Sequence, residues 1–386
     1  MHQDSNRREF LRNISMAGAA LTTAAVSTNA GAAGVRSKAS DDELIVVNGL
    51  DPSHLTVDVV DAQKAGGVHC WHRSTENSDV FADDYAFMAR NSNKIVPAFS
   101  VRDIRAARRA GRIALLFGWQ DANILQDEGR SNAPAISRLD AYYERGLRIC
   151  GIAYNLANDF GGGNLDPQVG LTRNGRELVQ RIHKLRIVLD VGGHTGEQTS
   201  LDALAMSSGV PAICSHTNVL AIMDNPRNTS DRVFEGIAKS GGVIGLSAFS
   251  DFHVRSRKDV AIARMAAVSL DRHLDQYDYL KRLVGVDHIG LGPDFYVNSP
   301  RGLLNVQESA TPNPPPNPTL NSNGSVSSRN PESYSAGPDI NVNGFDNISK
   351  LPNVSRGLAQ RGWTPAEIRK VMGDNWLRVY EKVWGG

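Results

Sequence analysis

Along the chain, short runs of consecutive apolar residues alternate with longer stretches in which apolar residues recur every three or four positions. The apolar runs are Glu43 to Gly49, Gly66 to His72, Arg112 to Trp119 and Arg148 to Asn155, then Arg186 to Gly192, Pro211 to His216, Gly241 to Ser247 and His288 to Phe295. They are continuous rather than alternating, as expected of strands buried on both faces. Between them lie amphipathic stretches with helix punctuation. Ser100 to Gly111 starts on a capping Ser and stops on Gly, and Ser230 to Gly242 does the same. Ser137 to Gly146, Thr172 to Leu185 and Asp271 to Gly285 repeat the pattern, and Thr364 to Trp384 opens with Thr364 and Glu367 at capping-box spacing. Repeated strand–helix units imply parallel strands with right-handed crossovers. Eight of them predict a closed (β/α) eight-stranded TIM-like barrel. The rival, an open doubly wound sheet, would carry a Gly-rich phosphate loop after its first strand, and "NGLDPSHL" is not one.

Two segments break the pattern. Residues 1–40 hold the twin Arg7 and Arg8, then Phe10 and Leu11, an Ala-rich stretch and a small-x-small "AGA" at Ala30 to Ala32. This has the form of a twin-arginine export signal, against an amphipathic N-terminal helix as the plain alternative. It predicts a protein exported to the periplasm or extracellular space, with residues 41–386 as a single barrel domain. No later apolar run is long enough to span a bilayer. The second segment, about 300–344, is rich in Pro, Asn and Ser and reads as an irregular excursion after the eighth strand, either a lid or an ordinary surface loop.

Composition adds mainly exclusions. With 41% hydrophobic and 22% charged residues, the 386-residue chain has ample material for a large core. Its formal net charge of +1 gives nucleic-acid binding no electrostatic footing. Cys70, Cys150 and Cys214 each sit in an apolar run with no C-x-x-C spacing, so they read as buried core thiols.

Chemistry is sought just past the strand C-termini, where a barrel opens its active-site mouth. His194 and His216 follow the fifth and sixth strands, and adjacent strands lie about 5 Å apart. Two imidazoles so placed could share one metal, or could be ordinary hydrogen-bonded residues at strand ends; spacing alone leaves both open. Asp294 occupies the same layer after strand eight, Gln120 after strand three and Tyr154 after strand four, with Arg227 on the loop leaving strand six. His69 and His72 near strand two are weaker candidates.

The block from Arg186 to Asp231, the stretch "VGVDHIGLGPDFYVN" and the ending "LAQRGWTPAEIRKVMGDNWLRVY" resemble the membrane (renal) dipeptidase family of zinc peptidases. The resemblance covers roughly residues 43–385 apart from the excursion. It implies a metal-dependent α/β barrel with two zinc ions, held by an H-x-D pair after strand one, a bridging Glu after strand three and two histidines after strands five and six. By position, His194 and His216 match those histidines, Arg227 the substrate-carboxylate arginine and Asp294 the proton-handling aspartate. The departures are at the other site. Leu50 and Pro52 stand where the H-x-D ligands belong, Gln120 where the bridging Glu belongs, and Tyr154 where the family often has a substrate-side His.

The expectation is therefore a dipeptidase-like metallohydrolase acting on a dipeptide or small modified amino acid through a metal-activated water, with one zinc ion or none. His194 and His216 would be its protein ligands, with Asp294 a candidate third donor. Gln120 would orient the attacking water, and Tyr154 and Arg227 would bind substrate. The alternatives are a diverged, non-hydrolytic or metal-free barrel that binds or transforms a small carboxylate, and a scaffold protein, which only the excursion favours. Expected partners are the small-molecule or dipeptide substrate and no nucleic acid; a homodimer is left open.

Overall fold

Every one of the eight apolar runs contributes a parallel strand. The computed structural model describes residues 44–75, 78–127, 134–253, 268–295 and 341–385. The candidate export signal and the excursion up to residue 340 lie outside the described residues. The strands are β1 (Val47–Asn48), β2 (Cys70–Ser74), β3 (Ile95–Pro97), β4 (Ile113–Trp119), β5 (Leu147–Cys150), β6 (Val188–Leu189), β7 (Ile213–Thr217), β8 (Val243–Leu246) and β9 (Ile289–Leu291). The helices are α1 (Val57–Ala65), α2 (Ser78–Arg90), α3 (Val101–Arg109), α4 (Asn123–Asp127), α5 (Leu139–Glu144) and α6 (Arg173–Lys184), then α7 (Glu197–Met206), α8 (Asp231–Ser240), α9 (Leu270–Leu283), α10 (Pro352–Gln360), α11 (Pro365–Arg369) and α12 (Asn375–Trp384).

Strand pairing runs β1-β2-β4-β5-β6 in one sheet and β7-β8-β9 in the other. Two seams join them into a ring. At the first, Asp190 bridges to Ile213 in parallel and the Val191 N–H donates to the Ile213 carbonyl at 2.7 Å. At the second, the Gly49 N–H donates to the Leu291 carbonyl at 2.9 Å. The ring thus has the eight strands that the apolar runs predict. β3 is a ninth, short strand that the sequence reading did not anticipate. It pairs with the first half of β4 on the edge whose second half takes β5. Three residues ending in Pro carry little pattern, and Pro suits a strand with a free edge.

Alternation along each strand sorts the core into two clusters. Val47, Cys70, Leu116, Ile149, Val188, Ile213 and Val243 pack with Trp376 of α12, whereas their neighbours Val46, Trp71, Leu115, Leu189, Cys214 and Ile244 pack in the larger cluster with the helices. The first set is the inner lining of the ring. Gly49, just after β1, and Gly290 on β9 leave space for the Trp376 indole, with which a Cβ at either position would collide. All three cysteines are buried in this scaffold, as expected.

The helix caps follow the sequence. Ser100 accepts from the Asp103 N–H and Thr172 from the Gly175 N–H, and Thr364 and Glu367 form a reciprocal capping box. Gly241 ends α8 at φ 84°, a conformation that favours glycine. The C-terminal stretch differs from expectation in one respect. Its single predicted helix is broken by a wider π-type turn over Lys370–Asp374 between α11 and α12. There Gly373 packs so closely on the Ile45 carbonyl that no side chain fits. That turn seats Trp376 inside the ring.

Candidate functional site

The register of β7 against β8 shifts between Cys214 and Thr217. An irregularity of this kind re-aims a side chain at the end of a strand. Here it separates Ser215 from His216. The Ser215 N–H donates to Asp190 Oδ1 at 2.9 Å, and its hydroxyl lies 2.7 Å from His216 Nδ1. The other ring nitrogen, His216 Nε2, is buried and without a partner among the described residues.

His194 sits on the turn after β6. Gly192 and Gly193 precede it at φ 77° and 59°. A Cβ on Gly193 would lie 2.5 Å from Arg227 Nη1 and 2.8 Å from the His216 carbonyl, so glycine is required there by space as well as by φ. His194 Nδ1 lies 2.7 Å from Asn155 Oδ1. Asn155 itself is at φ 60° and donates its N–H to the His194 carbonyl at 3.3 Å. The Tyr154 ring stacks on His194 at 3.8 Å between centroids, and the two histidine rings are 5.0 Å apart. The Tyr154 hydroxyl is buried without a partner among the described residues. Three strand ends therefore converge: β5 through Tyr154 and Asn155, β6 through His194, and β7 through His216.

Arg227 completes the group from the loop after β7. Its backbone N–H is held by Asn225 Oδ1 at 2.9 Å, its Nη2 donates to the His216 carbonyl at 3.2 Å, and its guanidinium lies 4.8 Å above the Phe252 ring centre. Nε and Nη1 are buried and have no partner among the described residues. Burial lowers the pKa of Arg227, and Asp294 is the largest opposing influence. Asp294 is reached through a strained backbone at φ 61°, with its N–H donated to the Leu50 carbonyl at 3.0 Å. Burial pushes its carboxyl up to about 7; Arg227 pulls it down and Asp51 pushes it further up. His194 and His216 are held well below the ordinary imidazole range, first by burial and then by the Arg227 charge. Both are neutral at pH 7, and Arg227 is the charge that all these groups share.

The metal centre that the family resemblance implies can be tested against these side chains. Leu50 is fully buried and offers no donor. Its neighbour Asp51, the one carboxylate in "NGLDP", is committed elsewhere. It accepts from the Ser53 N–H at 3.0 Å, from Gln63 Nε2 at 2.7 Å and from Asn48 Nδ2 at 3.3 Å. Gln120 follows β4 directly and is half-buried, but carries no charge. Among the described residues, no group of three or more His, Cys, Asp or Glu side chains is placed to hold a metal ion. The expectation that Asp294 could join the two histidines as a third donor is corrected here. Its backbone N–H is held by the Leu50 carbonyl just beyond β1, and its strongest charged neighbour is Arg227. A catalytic zinc is ordinarily held by three protein ligands. Two imidazoles fall short, so the residues present do not fit the implied centre.

Three residues near the site carried less weight in the sequence than they do here. His72 points into the ring, where Nδ1 lies 2.6 Å from the Gly49 carbonyl and Nε2 is buried without a partner among the described residues. Gly118 faces it, and a Cβ there would strike the imidazole. Asp190, visible as a lone acid inside "RIVLDV", braces β7 and is pushed up to about 7 by burial against the Ser215 hydrogen bonds. Asn155, which holds His194, had no distinguishing signal.

Comparison with known proteins bears on this pocket. The model of the membrane dipeptidase family, peptidase family M19, matches residues 71–311 and 333–384. The dipeptidase tcpJ of Claviceps purpurea is 24% identical over 295 residues, which is 76% of this chain but only 56% of that protein. Among solved structures, an amidohydrolase from Pseudomonas aeruginosa superposes with a TM-score of 0.73 at 25% identity, covering 89% of this chain and 97% of that one. A metallopeptidase from Rhodobacter sphaeroides, solved with a phosphinate mimic of the dipeptide L-Ala-D-Ala, shares the fold with a TM-score of 0.65 at 18% identity, covering 89% and 100%. With the family match extending over most of the barrel, the chain belongs to the membrane dipeptidase family, peptidase family M19, and is a hydrolase of the dipeptidase-like metallopeptidase type.

Proposed function

We propose that the pocket binds a dipeptide or small modified amino acid by its free carboxylate and hydrolyses the neighbouring amide bond. The observation that carries this reading is Arg227: a buried guanidinium with two nitrogens unpartnered among the described residues, beside two neutral imidazoles and a carboxyl of raised pKa. A buried cation whose N–H groups lack acceptors is poised for an anionic ligand. The family, the tcpJ dipeptidase and the dipeptide mimic held by the Rhodobacter sphaeroides neighbour support the substrate class.

In this reading Arg227 fixes the substrate carboxylate, and the Tyr154 hydroxyl and His216 Nε2 meet its polar atoms. Asp294, when ionised, takes a proton from water as the water oxygen bonds to the amide carbon. It returns that proton to the nitrogen as the C–N bond breaks. The Gln120 amide orients the water or donates to the carbonyl oxygen; it has no basic form at this pH. The test is a panel of dipeptides, including those with a C-terminal D-residue, each beside its C-terminal amide. Turnover of the free acids and not of the amides is expected. Equal turnover of both removes the carboxylate anchor; binding of acids with no cleavage of any removes the hydrolytic reading and leaves a carboxylate-binding barrel.

The acid–base role predicts a pH dependence. Asp294 is the base only when ionised and titrates near 7, so kcat/KM should rise with pH through about 7. The Arg227 charge lowers that pKa, so weak residual activity in Arg227→Gln should show the same limb displaced to higher pH. A limb that does not move separates Asp294 from the rate.

Export by the twin-arginine route, to the periplasm or beyond, is proposed on residues 1–40. Replacing both Arg7 and Arg8 by Lys should leave the protein inside the cell, as fractionation would show. Unchanged export of that variant sinks the proposal.

A further inference from the structure

The pocket keeps two histidines of an implied metal site while the rest of its donors are replaced, and the replacements are packed rather than vacant. Leu50 is fully buried, and its carbonyl is used to hold Asp294. Asp51, the nearest carboxylate to the lost ligands, is locked by Ser53, Gln63 and Asn48. Its own carbonyl accepts from Trp71 Nε1 at 2.8 Å, so it cannot swing inward without breaking that turn. Gln120 supplies a neutral amide where an anion would be needed to offset a divalent cation. The positive charge of the pocket is Arg227, which sits against the His216 carbonyl and crowds Gly193. A second, divalent positive charge beside it would meet strong repulsion at low dielectric.

We infer that this chain does not retain a tightly bound metal, and that Arg227 serves as the pocket's resident cation. The inference rests on the hydrolase reading only for the location of the pocket. The imidazoles then act as neutral hydrogen-bonding groups: His194 is oriented by Asn155 and His216 by Ser215, each through Nδ1.

The test is metal content, not activity. The full chain is incubated with zinc, passed through a desalting column and analysed for zinc per chain, with unfolding followed in the presence and absence of added zinc. Well below one zinc per chain is expected, with no shift of the unfolding midpoint, since only binding to the folded state raises it. One or more zinc ions per chain, lost in His194→Ala, overturns the inference. A second arm restores donors with Leu50→His, Pro52→Asp and Gln120→Glu together. Zinc retained by this variant attributes the loss to these three positions. A folded variant that still holds none overturns that attribution. Failure of the dipeptide panel, with zinc also absent, would remove the proposed hydrolysis and leave this inference standing.

Discussion

Replacing Arg227 by Ala is expected to weaken binding of carboxylate substrates by two to three orders of magnitude while the barrel stays folded. Truncating one partner of a buried, hydrogen-bonded charge pair costs about 2–5 kcal/mol, or roughly 30- to several-thousand-fold in affinity. Here the loss should fall on the ligand, because Nε and Nη1 have no acceptor among the described residues and Nη2 makes one bond of 3.2 Å to the His216 carbonyl. The fold loses that bond and the contact with Phe252. Arg227→Lys should recover part of the affinity, since charge returns but the planar fork does not. The check is calorimetric titration with a free-acid ligand and its C-terminal amide. If Arg227→Ala binds the two as differently as the parent protein does, the carboxylate is held elsewhere.

Trp376→Ala should be the most destabilising single change outside the pocket. The indole is fully buried within the inner cluster and fits against Gly49 and Gly290, so its removal empties a volume that surrounding backbone cannot fill. Deleting a buried Trp costs about 3–5 kcal/mol. A chain of this size often unfolds irreversibly on heating, so denaturant midpoints are the better measure. Gly290→Ala supplies an internal control. Alone it forces a Cβ into the indole; combined with Trp376→Ala it enters the space left behind. The double variant should be distinctly more stable than the sum of the two losses predicts, and strict additivity would mean that the two residues do not share that space.

The part of the fold that could be read from sequence is the part governed by burial. All eight ring strands were visible because a strand covered on both faces must be apolar throughout. The helices with a Ser or Thr cap and a Gly stop were visible because those residues satisfy open backbone groups. β3 was not, being three residues long and ending in Pro97. Nor was α1, whose apolar residues trace no clear stripe. The π-type turn before α12 depends on how closely Gly373 approaches Ile45, a tertiary fact with no local sign.

The pocket was legible to a similar degree. His194, His216, Tyr154 and Arg227 converge, because residues after neighbouring parallel strands must lie near one another. Asp294 enters through its charge coupling to Arg227 rather than as a partner of the imidazoles. What the spacing could not reveal is direction. The shifted register at Ser215 turns His216, and the positive φ of Asn155 brings its amide under His194. His72 is a weaker candidate in the sequence, yet alternation along strand two turns it inward, where Gly118 gives it room.

The seating of Trp376 has a consequence for how the molecule is made. The indole that occupies the inner layer lies C-terminal to every strand of the ring, and the seam between Gly49 and Leu291 joins the first strand to the last. A nascent chain carrying all its strands but lacking α12 would therefore have a hollow centre. Such a species would expose apolar surface until synthesis had passed residue 376, and holding it soluble over that interval is the task that a chaperone would meet.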